Sequence, residues 1–233
     1  MTRSPIESRD VYNLIQRDKQ GGITRNENEA QWKAEMSIPT MTEARWDNVY
    51  RNLSLLKCNL RVKYQDWRIA WKRQELNRDK RHYPGCTSQS TKCSYCNIEL
   101  ETEIHIYTQC TRTEIFWREA RDWTFLTWGV LPPLTLKCVR IFGMEKERPD
   151  DLLNIFFRST RYAIFKGRET RHMPSLQLLE DLMLDELKRK YSGGRLLKHR
   201  ENANEQMAIS WYTKQLAGEA TAAQTVQPKT GAT

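Results

Sequence analysis

Residues 92–110 read KCSYCNIELETEIHIYTQC, and they hold the densest group of metal-binding residue types in the chain. Two residues separate Cys93 from Cys96, eight separate Cys96 from His105, and four separate His105 from Cys110. Two thiolates at the first spacing can bind one tetrahedral ion from a tight turn, and a histidine and a third cysteine can fill the other positions. We therefore expect a structural zinc site formed by Cys93, Cys96, His105 and Cys110.

The cysteine count leaves alternatives open. The chain has six cysteines, and an even number is also compatible with three disulfide bonds. The N-terminal residues contain no apolar segment typical of a signal peptide, so we expect an intracellular protein of the nucleus or cytoplasm. Clustered cysteines more often bind metal in that compartment. Cys86 is an alternative ligand, while Cys58 and Cys138 are expected to be ordinary core or surface cysteines.

Length and hydropathy restrict the class of protein. The chain has 233 residues, 39% of them hydrophobic, and a mean hydropathy of -0.77. These values allow one large domain or two small ones with a modest core. No apolar run reaches the roughly 20 residues that cross a bilayer, so we expect no membrane partner.

Apolar residues on both sides of the cysteines recur at helical spacing. Trp46, Val49, Tyr50 and Leu53 share one helical face, and Thr42 precedes them as a predicted N-cap. Asp150 and Ser175, each directly after a proline, are the predicted N-caps of two later helices. Further apolar faces are predicted in a series of helices: one with Leu60, Tyr64, Trp67 and Trp71; one with Ile115, Phe116, Ala120 and Trp123; one with Leu153, Phe156, Phe157 and Ile164; one with Leu179, Leu182, Met183 and Leu187; and one over 201–216 with Met207 and Trp211. The sequence thus predicts a mainly α fold with a small inserted zinc knuckle and disordered termini.

Composition divides the chain into four parts. We expect a loosely ordered N-terminal extension over 1–41, a region of basic helices with the knuckle over 42–128, a helical C-terminal region over 129–217 and a disordered tail over 218–233. The net charge is +9 overall, +7 over 42–92 and -3 over 93–128. An excess of positive charge beside a zinc knuckle favours a polyanionic partner.

Specific basic residues are candidates for binding nucleic acid. We expect Arg61, Arg68, Lys72 and Arg73 to contact phosphates of RNA or DNA, and Tyr95 to stack on an unpaired base. A solvated helix face and a tyrosine packed over the zinc site are the alternatives. A second basic set, Arg158, Arg161, Lys166, Arg168 and Arg171, has the spacing of one helix face. A third set over 188–200 suits a localisation patch, an RNA contact or a solvated helix end.

Nothing in the sequence predicts an enzyme. The four histidines offer no catalytic arrangement with a serine or cysteine, and no glycine-rich phosphate loop precedes a helix. Glu99, Glu101 and Glu103 alternate, which is more typical of a strand beside the knuckle than of a nuclease site.

The cysteine cluster resembles a known family. Cys93 and Cys96, the step Glu101-Thr102-x-x-His105, Cys110 and the later Trp117 resemble the zinc-binding C-terminal region of non-LTR (LINE-type) retrotransposon reverse transcriptases. The Trp46 helix, the basic helix after it and residues 152–169 are also similar, so the resemblance covers roughly residues 42–170.

This resemblance implies a non-catalytic fragment that helps to hold template RNA or target DNA. Polymerase motifs are absent from the chain, so the missing polymerase part of the parent polyprotein is a further expected partner. The alternative is a helical protein-interaction or vestigial structural fragment without affinity for nucleic acid. Salt-dependent RNA binding would favour the first interpretation, and self-association without such binding would favour the second.

Overall fold

A computed structural model gives the fold over residues 24–36, 42–55, 58–72, 74, 76, 91–135, 137–144, 151–191 and 206–215. Its helices are α1 (Arg25–Met36), α2 (Glu43–Leu55), α3 (Leu60–Ala70), α4 (Thr111–Trp128), α5 (Lys137–Phe142), α6 (Leu152–Thr170), α7 (Leu176–Tyr191) and α8 (206–215). A π-type turn, His105–Gln109, precedes α4. The prediction of a mainly α fold is confirmed.

Side-chain caps set several helix starts. The Thr42 hydroxyl accepts a hydrogen bond from the Arg45 backbone N–H at 3.3 Å, and the Ser175 hydroxyl accepts one from Leu178 at 3.1 Å. Both residues were predicted as caps. Helix α6 begins after Asp151, whose carboxylate accepts from the Leu153 N–H, so the cap lies one residue later than the predicted Asp150. Side-chain acceptors at these positions satisfy N–H groups that have no partner within the helix.

Helix α6 lies at the centre of the fold. It packs against α3, α4, α5 and α7. Its Phe156 and Phe157 are fully buried, and both rings contact the buried indole of Trp117 on α4. Leu179, Met183 and Leu187 of α7 are also fully buried, as predicted. Burial of such large apolar side chains supplies most of the favourable free energy of folding.

Some predicted apolar faces are wrong in detail. Ile115 is 50% exposed and Met207 is 44% exposed, although both were expected to face the core. The face of α4 that carries Phe116 and Ala120 is buried, and α4 packs against α6. Ile115 therefore lies on the solvent side of the helix. Trp211 does pack inward, against Trp123 and Trp128.

Part of the predicted loose extension is a helix. In α1, Trp32 is fully buried, and its indole N–H donates to the Ala70 carbonyl at 3.0 Å. The Asn28 amide donates to the same carbonyl at 2.7 Å. These bonds join α1 to the end of α3, so the expected boundary at residue 41 separates two elements that pack together. Residues 1–23, 37–41, Cys86 and the predicted tail lie outside the described residues.

Candidate metal centre

A tight turn places the first two cysteines. The Cys93 carbonyl accepts the Asn97 N–H at 2.9 Å, and the Cys93 N–H donates to the Glu99 carbonyl at 2.7 Å. Asn97 adopts a positive φ of 56°, which lets the chain reverse direction. A single antiparallel bridge joins Lys92 and Leu100. Within the described part of the knuckle, the strand expected over Glu99–Glu103 is present only as this single bridge.

The π-type turn places the other two candidate ligands. The Thr102 hydroxyl accepts the His105 N–H at 2.9 Å, and the Cys110 N–H donates to the His105 carbonyl at 2.7 Å. The wider turn brings the cysteine back toward the imidazole before α4 begins. Ile104 and Ile106 are buried on either side of His105, and they surround this ligand with apolar side chains.

The four predicted ligands meet at one point. The nearest ligand atoms of Cys93, Cys96, His105 and Cys110 all lie within 4.8 Å of one another. The Cys93 and Cys110 Sγ atoms are 3.8 Å apart, and Cys96 Sγ lies 3.3 Å from His105 Nε2. A tetrahedral ion with metal–sulfur bonds of about 2.3 Å separates two sulfur ligands by about 3.8 Å. The four residues therefore form one cluster, as predicted, and this cluster can hold a metal ion.

The electrostatics of the cluster favour a thiolate at the start of α4. The pKa of Cys110 is lowered to about 5, first by the hydrogen bond from Cys93 and also by the backbone N–H groups of Thr113 and Arg112. The pKa of Cys93 is raised, because it donates to Cys110 and because it is buried. The N-terminal N–H groups of a helix carry partial positive charge, which stabilises an anionic ligand there.

Glu101 is buried next to the cluster, although sequence reasoning gave it no role beyond the resemblance. Its side chain is 0% exposed. Glu101 Oε2 accepts the Ser94 N–H and the Ser94 hydroxyl, both at 2.7 Å, and Oε1 accepts Arg168 Nε at 2.9 Å. The Glu-Thr step of the resemblance was the only signal in the sequence, since no local pattern pairs residues 67 positions apart.

The tyrosine predicted to stack on a base is anchored in the protein. The Tyr95 hydroxyl donates a hydrogen bond to the Ile164 carbonyl of α6, and its ring is half-buried against the core. A Cβ added at Gly167 would lie 2.8 Å from the same hydroxyl, so a glycine allows this close approach. The geometry supports the alternative in which Tyr95 packs between the cluster and α6.

Lys72 was predicted to contact phosphate, and the structure contradicts this prediction. Its side chain is 3% exposed, and its ammonium group lies 2.6 Å from Glu35 and 4.0 Å from Glu103. The same group lies 4.2 Å from the centre of the Trp32 ring. Two carboxylates and an aromatic face thus surround the charge inside the fold. Arg73 lies outside the described residues.

Two predicted phosphate contacts remain on the surface of α3. Arg61 is exposed, and Arg68 is half-buried with its guanidinium 5.6 Å from the centre of the Tyr64 ring. Helix α3 packs against α6, which carries the half-exposed Lys166. Burial raises the pKa of Tyr162, the charges of Lys166 and Arg61 oppose this rise, and the charge of Glu169 adds to it. We call Arg61, Arg68 and Lys166 the basic surface.

The second basic set is mostly buried in ion pairs. Arg158 binds Glu186 of α7 at 3.0 Å, and Arg161 binds Asp66 of α3 at 2.8 Å, with each side chain less than 10% exposed. Arg168 binds Glu101 at 2.9 Å. These arginines hold neighbouring elements against α6, so the interpretation of this set as a phosphate-binding helix face is wrong for all three. Lys166 remains half-exposed, paired with Glu169, and Arg171 is exposed.

Comparison with family models, curated proteins and solved structures finds no match for this chain. Within the described residues, no helix is both long enough and apolar enough to cross a membrane.

Proposed function

We propose that this chain is a non-catalytic, zinc-stabilised helical module that binds RNA or DNA. We also propose that it corresponds to part of the C-terminal region of a non-LTR retrotransposon reverse transcriptase. The convergence of Cys93, Cys96, His105 and Cys110 on one point is the observation that carries the proposal. The spacing Glu101-Thr102-x-x-His105 within that cluster supports the family assignment.

The donor set supports zinc in a structural role. Three thiolates and one imidazole are the ligands of closed tetrahedral zinc sites, and they leave no position for a substrate or water. Cys93 and Cys110 are fully buried, and His105 is 6% exposed. A closed and largely buried site suits a metal that holds a fold together rather than one that binds a substrate.

The distribution of charge supports a nucleic-acid partner. Three arginines of α6, Arg158, Arg161 and Arg168, are paired with buried carboxylates. These pairs are neutral, so the net charge of +9 comes from the other residues of the chain. Part of that excess forms the basic surface of Arg61, Arg68 and Lys166. Contacts from such residues to phosphates are independent of sequence and weaken steeply as salt rises.

The zinc part is tested by native mass spectrometry of the purified protein. We expect one zinc per chain, lost on acidification, because protonated thiols and imidazole no longer bind the ion. Cys96→Ser is expected to lower the zinc content and the thermal stability together. Cys58→Ser is the matched control, since this cysteine lies outside the cluster. Folded protein without zinc would contradict the metal centre.

The nucleic-acid part is tested by fluorescence anisotropy of labelled RNA and DNA oligonucleotides over a range of salt concentrations. We expect Arg61→Gln/Arg68→Gln to weaken binding of all sequences alike and to reduce the salt slope by about 1.4–1.8. Arg118→Gln/Arg121→Gln removes the same charge from α4 and is expected to change the slope little. Equal losses in both double variants would show that net charge alone, rather than the basic surface, drives binding.

A second candidate function is protein–protein interaction. At the C-terminal end of α4, Phe125 is 50% exposed and Leu126 is 81% exposed, and Leu131 just beyond is 61% exposed. Exposed apolar side chains of this size are typical of a surface that another chain covers. Sedimentation velocity at increasing protein concentration distinguishes the two functions: self-association without salt-dependent RNA binding would favour this one.

A further inference from the structure

We propose that Glu101 controls the metal affinity of the cysteine cluster and that Arg168 of α6 is the residue that positions it. The inference rests on the metal centre of the proposed function. It assigns a role to two residues that contribute no ligand atom, and it makes metal binding dependent on how the knuckle docks on α6.

Glu101 organises the turn that presents two of the thiolates. Ser94 is the residue between Cys93 and Tyr95, and both its N–H and its hydroxyl donate to Glu101 Oε2 at 2.7 Å. These bonds fix the backbone directly after Cys93 and two residues before Cys96. A ligand turn that is fixed before the metal arrives loses less conformational entropy on binding, so the carboxylate raises affinity without touching the ion.

Arg168 makes this arrangement possible at a buried position. Glu101 is fully buried and Arg168 is 9% exposed, so the guanidinium compensates the charge of a carboxylate that water does not reach. Without Arg168, the carboxylate would lose this cation at a position that is shielded from water. Its position would then be less well fixed, so the bonds to Ser94 would weaken.

A second contact aligns the same turn with the same part of α6. The Tyr95 hydroxyl donates to the Ile164 carbonyl, one helical turn before Arg168. Gly167 lies against that hydroxyl, with the position of its missing Cβ 2.8 Å away. The turn between Cys93 and Cys96 is therefore held by α6 at two points, through Tyr95 and through Glu101.

The test measures zinc affinity by competition with a chromophoric chelator, for the full chain and for the variants Arg168→Gln, Glu101→Gln and Arg168→Lys. Removal of residues that orient metal ligands typically costs 10- to 100-fold in affinity, and we expect losses of about that size for the two glutamine variants. Arg168→Lys keeps the positive charge, so we expect it to restore part of the affinity. Cobalt substitution supplies a second readout, because its visible spectrum reports the ligand geometry.

Arg158→Gln is the matched control. It breaks another buried arginine–glutamate pair of α6, but its partner Glu186 lies on α7, away from the knuckle. We expect this variant to lose stability and to retain zinc affinity within about twofold of the unmodified chain, since it leaves the ligand turn intact. Equal loss of affinity in Arg158→Gln and Arg168→Gln would overturn the inference, because a general loss of stability would then explain both.

The inference and the proposed function fail in different ways. Tight zinc binding that is unchanged in Arg168→Gln and Glu101→Gln would overturn only the role of these two residues. An unmodified chain that takes up neither zinc nor cobalt would overturn the metal centre of the proposed function, and this inference with it.

Discussion

Helices α3 and α6 are both rich in arginine, yet they use the charge in opposite ways. On α3, Arg61 is exposed to solvent. On α6, Arg158 and Arg161 are buried against Glu186 and Asp66. The difference follows from position in the fold, because α6 is packed on several sides and α3 retains a solvent face. Arginine spacing in a sequence therefore does not separate a phosphate-binding surface from an internal ion pair.

The largest expected effect comes from breaking a buried pair. Arg161→Gln leaves the Asp66 carboxylate without its cation in a buried position, and we expect a loss of about 3–5 kcal/mol in the free energy of unfolding. Urea denaturation followed by circular dichroism measures it. Arg61→Gln, on the exposed face of α3, is the control and should change stability by about 0.5 kcal/mol or less. Similar losses in both variants would remove the distinction between the two helices.

A double replacement sharpens the same comparison. Arg158→Met with Glu186→Met exchanges the buried pair for apolar side chains of similar length. We expect most of the loss caused by Arg158→Met alone to be recovered, to within about 1–2 kcal/mol of the unmodified chain, because no unpaired charge remains. The free energies of unfolding of the two single variants and the double variant measure this coupling. A double variant as unstable as the single ones would show that the pair has a role beyond charge balance.

Tyr95→Phe distinguishes a packed tyrosine from a stacking one. The variant removes the hydrogen bond to the Ile164 carbonyl, so we expect a loss of about 1 kcal/mol in the free energy of unfolding. RNA affinity should stay within about twofold, because the hydroxyl faces α6. Thermal denaturation and anisotropy titrations measure the two quantities. A large fall in RNA affinity with unchanged stability would contradict the anchored position and restore the stacking role.

Replacement of Lys166, the member of the basic surface on α6, is expected to have the smallest effect. Lys166→Gln removes a half-exposed charge from α6, so we expect RNA affinity to fall by roughly two- to fivefold and the salt slope to decrease by about 0.7–0.9. Stability should change little, since Lys166 is paired only with the exposed Glu169 among the described residues. Lys214→Gln, an exposed lysine on α8, is the control. An unchanged slope in Lys166→Gln would restrict the basic surface to α3.

The sequence predicts the metal cluster well because its determinants are local. All four candidate ligands lie within 18 residues, Cys93 to Cys110, and their types and spacings suit a tetrahedral ion whatever surrounds them. The helices are also predicted well, since apolar periodicity and residues such as Thr42 and Ser175 act within one or two turns of the chain.

The roles of the charged residues required the tertiary structure. Lys72 belongs to a basic stretch of sequence, but Glu35 and Trp32 of α1 enclose it, and residues near 32 and 72 are brought together only by folding. Arg168 and Glu101 are likewise distant in sequence and adjacent in space. Burial and pairing depend on which elements meet, a property of packing between helices that local spacing does not encode. The sequence alone thus predicts the four candidate metal ligands. The contacts that Tyr95 and Glu101 make with α6 became visible only in the tertiary structure.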